Sequence, residues 1–203
     1  MEYSIVRAPE RVFLQEAARL HHEALSYRST ITAFGEPFLI ALYRGLLAEG
    51  LGFLIVAHEG ERLCGFILGC SDSRRMMSVV PRRWRTFVPI MAPVLVRRPR
   101  LIARLAQTLF YSRKEQTDVV AELVVIAVAD AMRSQGVGKQ MLGVLEREFT
   151  RQGIGRYKVT VHDAMEAANR FYLQNGMQLA SQFQMYGVQW NLYVRQIAHE
   201  ECA

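Results

Sequence analysis

Glu122-Leu-Val-Val-Ile-Ala-Val128, followed by Arg133-Ser-Gln-Gly-Val-Gly-Lys139, is the stretch on which the reading of this chain turns. An apolar, β-branched run leads through a short turn into a helix predicted over 138–152, with Met141, Leu142, Leu145 and Phe149 on one face. The first turn of a helix carries backbone N–H groups without internal partners, and the helix dipole adds partial positive charge there. Gly136 and Gly138 have no side chains to keep an anion away, and Arg133 and Lys139 add full charges. The pattern predicts a phosphate or pyrophosphate cradle. The same glycines would also serve tight strand-to-helix packing. A dinucleotide fingerprint needs glycine where Met141 stands. A Walker loop needs glycine at Arg133 and Ser or Thr at Gln140.

Outward from this stretch, helices are predicted over 9–25 and 38–48, the second opened by Gly35-Glu36-Pro37. Strands 53–57 and 63–69 flank the turn at Glu59 and Gly60 as a hairpin. Downstream, strand 157–162, helix 165–175 and strands 177–183 and 186–197 complete a mixed α/β pattern. The first eleven residues do not read as a secretory signal. Between the hairpin and the central strand, 71–117 breaks the pattern with four prolines and a helical stretch from about 100 to 112. It holds ten arginines and one lysine between 74 and 114, and no acidic residue.

The chain has 203 residues, 51% hydrophobic and 22% charged, a globular balance of one-domain size. Its formal charge of +6 favours anionic partners without choosing among them. Three cysteines at 64, 70 and 202 suggest neither a disulfide framework nor a zinc site, and reduced thiols fit a cytoplasmic setting. No metal is expected. The apolar window 87–96 is half the length that crosses a bilayer. His21-His22-Glu23 lacks the histidine spacing of a zinc protease helix and reads as an exposed helix face.

Arg133-x-x-Gly136-x-Gly138 after an apolar strand resembles the signature of the GNAT N-acetyltransferase superfamily. Ala168-Asn169-Arg170-Phe171-Tyr172, with Gly176-Met177 beyond, resembles that family's later helix and its exit. The likeness covers 119–197 well, the first hairpin and helices more loosely, and 71–117 not at all. It implies a single domain over 1–203: a mostly antiparallel mixed sheet with splayed central strands, helices on both faces, and 71–117 as a basic insertion between the third and fourth strands.

The resemblance also implies acetyl-CoA as donor and an acyltransferase activity, moving acetyl directly to a primary amine. Donor contacts are then expected from Ile126, Ala127 and Val128 on the strand, from Arg133, Ser134, Gln135, Gly136, Val137, Gly138 and Lys139 at the turn, and from Asn169 and Phe171. Tyr172 corresponds to the family's general acid, which protonates the departing thiolate; its other reading is a ring packing a helix on the sheet. Glu122 is the candidate base, because an attacking amine must first lose a proton; its other reading is a solvent-facing strand end. Met165 stands where family members often carry Asn, and Asn169 occupies a different helical face.

For the acceptor, the likeness places Tyr27, Arg28 and the loop to Phe34 at its wall, and His162 could line the cleft. A small amine is expected, an amino sugar or its nucleotide conjugate first. Three readings of the insertion stay open. It is a solvated flap or homodimer contact, a lid for an anionic acceptor, or a membrane-surface patch through 82–104 with Trp84, Phe87 and Ile90 at the interface. No nucleic-acid module accompanies the charge. The rival to an enzyme is an acyl-CoA-binding or membrane-recruited regulatory module.

Overall fold

The computed structural model describes residues 1–8, 11–25, 31–60, 62–112 and 117–197. Seven strands form one sheet in the order β1-β2-β3-β4-β5-β7-β6. They are β1 (Glu2–Val6), β2 (Gly52–Glu59), β3 (Arg62–Cys70), β4 (Glu122–Val128), β5 (Arg156–His162), β6 (Gln178–Met185) and β7 (Val188–Gln196). Every neighbouring pair is antiparallel except β4 and β5. The helices are α1 (Arg11–Leu25), α2 (Glu36–Ala48), α3 (Ser73–Met76), α4 (Val79–Arg82), α5 (Trp84–Arg97), α6 (Arg100–Ser112), α7 (Val137–Arg151) and α8 (Glu166–Gln174).

The sheet is covered on both sides, as expected from the sequence. One apolar cluster joins Leu14, Phe38, Leu46, Phe66 and Val125 beneath α1, α2 and α5. The other joins Ile55, Ile67, Met141, Leu145, Phe149 and Tyr172 beneath α7 and α8. β2 and β3 are buried along nearly their whole length, which explains why they read as continuous apolar runs rather than alternating ones.

The structure departs from the sequence reading at three points. The first residues form an edge strand, β1, in register with β2 from Glu2↔His58 to Val6↔Leu54. Its five residues are too few, and too mixed in polarity, to stand out without their partner. Second, the proline-rich part of 71–117 is largely helical, and α5 runs through Pro89 and Pro93. Each proline leaves the carbonyl four residues back without its helix bond. Both prolines lie exposed, where freed carbonyls can be solvated. Third, His21 is not on an exposed face. It is buried, hydrogen-bonded to the Tyr43 hydroxyl, and burial depresses its pKa to about 4, so it is a neutral core group.

A polar anchor ties the N-terminal edge to α7. The buried Glu148 carboxylate accepts from Arg151 at 2.8 and 3.0 Å, from Gln152 at 2.6 Å and from Arg7 at 2.6 Å. The Arg151 contact, then those of Gln152 and Arg7, outweigh desolvation and hold its pKa at about 2 against an ordinary 4.5. Because the folded pKa is lowered, this stabilisation is complete above about pH 4.5 and drains away as pH falls toward 2. We predict that Glu148→Gln lowers unfolding free energy by on the order of 2–3 kcal/mol at neutral pH. Urea titrations should show the gap to wild type closing on acidification; a gap independent of pH would contradict this account.

Candidate functional site

The parallel strands β4 and β5 are paired at one position only, Glu122↔Lys158, where the Lys158 N–H donates to the Ala121 carbonyl at 2.9 Å. Beyond that vertex the strands diverge and leave a wedge. On its other edge β4 slips register: Leu68 faces Val125 but Gly69 faces Leu123, so Val124 is an extra residue. Val124 and Val125 consequently pack into the same cluster, while Leu123 and Ile126 belong to the opposite one. A bulge of this kind bends the strand and increases its twist. Ile126, Ala127 and Val128 thus present to the wedge an edge with no β5 partner, where a ligand's amide groups can add to the strand.

At the wide end of the wedge the chain turns into α7. Gly136 caps the helix in the left-handed region at φ 79°, and Ser134 also has positive φ, 61°. Such a conformation in a non-glycine residue is uncommon and clusters at functional sites. No side chain caps the helix, and the N–H groups of Val137, Gly138 and Lys139 make no hydrogen bond among the described residues. A Cβ built on Gly136 would meet nothing within 4 Å, so the space before these donors is open. The fit to a pyrophosphate is good: free donors, a helix N-terminus and an exposed lysine at 139. Arg133 is turned back, donating to the Val128 carbonyl at 3.3 Å and pairing with Asp130 at 2.8 Å, and Gln135 donates to Ala131 O at 2.8 Å. These two side chains brace the turn.

Gly138 has a second reason to be glycine. Its Cβ would stand 3.2 Å from the Phe171 ring and 3.7 Å from Ile126. The phosphate turn, strand β4 and helix α8 are therefore packed at one point. Tyr172, the next residue, is buried, stacks near Tyr193 with centroids 6.2 Å apart, and gives its hydroxyl to no hydrogen bond among the described residues. Burial raises its pKa, so the phenol stays protonated.

Asn169 sits differently. Its amide donates to the carbonyls of His162, Asp163 and Met165 at 2.9 to 3.1 Å, and its oxygen accepts from Asn191 and Tyr193, both at 2.9 Å. Its polar atoms fix the start of α8 against β5 and β7, one turn before Tyr172.

At the vertex, Glu122 lies largely covered with a carboxylate oxygen 4.0 Å from Lys158 Nζ; Lys158 itself is 1% exposed. That lysine escaped notice in the sequence as one cation in an apolar strand. Cys70 pairs across from Glu122, and burial pushes its thiol up to about 12. His162 accepts the Ala164 N–H at 3.0 Å and packs edge-on against Trp190. Tyr27 and Arg28 lie outside the described residues. The insertion contacts α2 at one end and β6 at the other, with Arg104 over the Tyr186 ring. A cavity of about 330 Å³ opens between it and α1, lined by His22, Thr32, Gly35, Val94, Arg97 and Arg98. Another, of about 400 Å³, lies between α2 and α5. Among the described residues no group of three or more His, Cys, Asp or Glu could hold a metal ion.

The bulged strand, the wedge beside it and the uncapped helix after it form a site for an extended ligand with an anionic end. The sequence model of the acetyltransferase (GNAT) family matches residues 15–177, and this chain belongs to that family of acyltransferases. Similar folds include a GNAT-family protein from Desulfovibrio desulfuricans, with TM-score 0.62, 14% identity, and 97% of this chain and 99% of that one covered. An aminoglycoside 6'-N-acetyltransferase complexed with coenzyme A gives TM-score 0.60 at 11% identity over 98% of each chain. An N-acetyltransferase from Staphylococcus aureus Mu50 gives 0.60 at 12% identity, covering 98% of this chain and all of that one. No protein of curated function matches the sequence.

Proposed function

We propose that this chain moves an acetyl group from acetyl-CoA directly onto the primary amine of a small, anionic acceptor. The observation that carries the donor is the set of unbonded N–H groups at Val137, Gly138 and Lys139 facing open space before Gly136. The CoA-bound aminoglycoside 6'-N-acetyltransferase of the same fold supports it. The pyrophosphate would rest on the α7 turn and the pantetheine arm on the free edge of β4, which brings the thioester toward the vertex.

There Glu122 takes the proton that makes the amine nucleophilic, and Lys158 holds that carboxylate in place. As the amine nitrogen attacks and the C–S bond breaks, Tyr172 gives its proton to sulfur, the acylated nitrogen sheds its remaining extra proton to water, and Tyr172 is reprotonated from solvent. Direct attack is favoured over an acyl-cysteine route. The one thiol beside the vertex, Cys70, is buried and has a pKa near 12, so it is not a nucleophile at neutral pH.

The anionic character of the acceptor rests on the Arg97, Arg98 and His22 lining of the cavity under the insertion. An amino sugar carrying a phosphate or nucleotide is the first candidate. A donor made in the cytoplasm and two free, buried cysteines fit a cytoplasmic enzyme. Thiol release from acetyl-CoA with a panel of amines tests the reading. Phosphorylated amino sugars should turn over at least about tenfold better, in kcat/KM, than their neutral parents. Equal rates across the panel would remove the anionic acceptor; no turnover with any amine would remove the transfer reaction.

A further inference from the structure

Four of the eight large hydrophobic residues left exposed among the described residues fall in the α5–α6 insertion: Trp84 at 56%, Val88 at 50%, Val96 at 82% and Ile102 at 55%. Trp84, Val88, Ala92 and Val96 recur every four residues and so share one face of α5. Pro89 and Pro93 widen that face, and both are exposed, as is Ala92. The opposite face is already occupied, with Phe87 buried against Phe38 at 5.3 Å between ring centroids. A helix of a soluble domain turns its polar residues outward. α5 turns apolar residues both ways.

The charges around this face are of one sign. Arg85 lies over Trp84, its guanidinium 5.5 Å from the ring centroid, and Arg97, Arg98 and Arg100 ring the corner between Val96 and Ile102. Arg82 and Arg83 share Glu49, but Arg97, Arg98 and Arg100 form no ion pair among the described residues. No acidic residue occurs anywhere from 73 to 114.

We propose that α5 and the α5–α6 corner dock on an anionic lipid surface. Val88, Val96 and Ile102 would enter the acyl boundary, Trp84 would sit at headgroup level, and the arginines would hold lipid phosphates. With 14 residues α5 is about 21 Å long and lies in the interface plane rather than across the bilayer. Two features favour lipid over protein on this face. A two-fold contact with a second copy would set its arginines against the same arginines. And Val96, 82% exposed, projects clear of its neighbours, which suits a deformable surface. The proposal does not require acetyl transfer, although Arg97 and Arg98 also line the cavity assigned to the acceptor.

Vesicle co-sedimentation of the full chain tests it. Vesicles containing phosphatidylglycerol should bind the protein at least about tenfold more strongly than pure phosphatidylcholine vesicles, and added salt should weaken the binding. Val88→Asp with Val96→Asp should reduce that binding about tenfold or more, with the thermal unfolding midpoint unchanged because both residues are exposed. Trp84 fluorescence should shift to the blue on binding and be quenched by brominated lipid, and Trp84→Phe should remove the shift. Equal partition onto neutral vesicles, no binding at low salt, or binding untouched by the double variant would each overturn the proposal. So would a chain that is dimeric in solution, is split by the double variant and leaves vesicles alone, since the face would then belong to a second copy.

Discussion

Tyr172→Phe should lower kcat for acetyl transfer by about 10²–10³-fold while leaving the affinity for acetyl-CoA within about twofold of wild type. The expectation follows from where the hydroxyl stands. The ring is buried and stacked near Tyr193, and Phe keeps that packing. The oxygen makes no hydrogen bond among the described residues, so its loss leaves no partner stranded and stability should change by less than about 0.5 kcal/mol. What disappears is the proton offered to sulfur as the C–S bond breaks. Burial raises the pKa of the phenol, so it is protonated throughout the neutral range, and wild-type kcat should show no alkaline limb from this group below about pH 10. Stopped-time thiol assays across pH, with melting curves of the same samples, separate chemistry from folding. Full activity in the Phe variant would remove Tyr172 from the mechanism.

Gly138→Val should be the most damaging single change at the turn. Even a lone Cβ comes within 3.2 Å of the Phe171 ring, and the two further methyl groups have Ile126 on the other side. Either Phe171 moves, carrying Tyr172 with it, or α7 is pushed off β4 and its free N–H groups lose their aim. Overpacking of this kind costs about 1–3 kcal/mol. We expect the melting point to fall, CoA affinity to drop at least about tenfold, and kcat to fall further than affinity alone explains. Gly143→Val on the same helix is the control, since its Cβ meets only the flexible end of Arg147 at 3.6 Å. Similar losses in both variants would mean that helix stability, rather than the aim of the turn, is being measured.

The part of this site that was legible in the sequence is the part written in consecutive residues. The apolar run ending at Val128, the glycines at 136 and 138 and the Phe171-Tyr172 pair each sit within one local element, and periodicity and turn chemistry report them. The wedge was expected only through family likeness. It is a relation between Glu122 and Lys158, strands apart in the chain, and no local pattern encodes how far two strands diverge. The bulge at Val124 was invisible for the same reason, being an offset against β3. Lys158 looked like an ordinary strand residue until its buried ammonium met the Glu122 carboxylate. The bonds of Asn169, whose amide knits α8 to β5 and β7, were likewise not written in any local pattern. His21 misled, a polar residue in an apparently polar triplet whose partner, Tyr43, lies on the next helix.

Calorimetric titration of the purified chain with CoA, set beside 4'-phosphopantetheine, probes the α7 turn most directly. The two ligands share the arm that would lie on β4 and differ in the pyrophosphate and nucleotide. If the amides of Val137, Gly138 and Lys139 grip the linked phosphates, CoA should bind saturably and at least about tenfold more tightly than phosphopantetheine, with the difference shrinking as salt is added. Equal affinities, or no heat from CoA at about 1 mM, would contradict it.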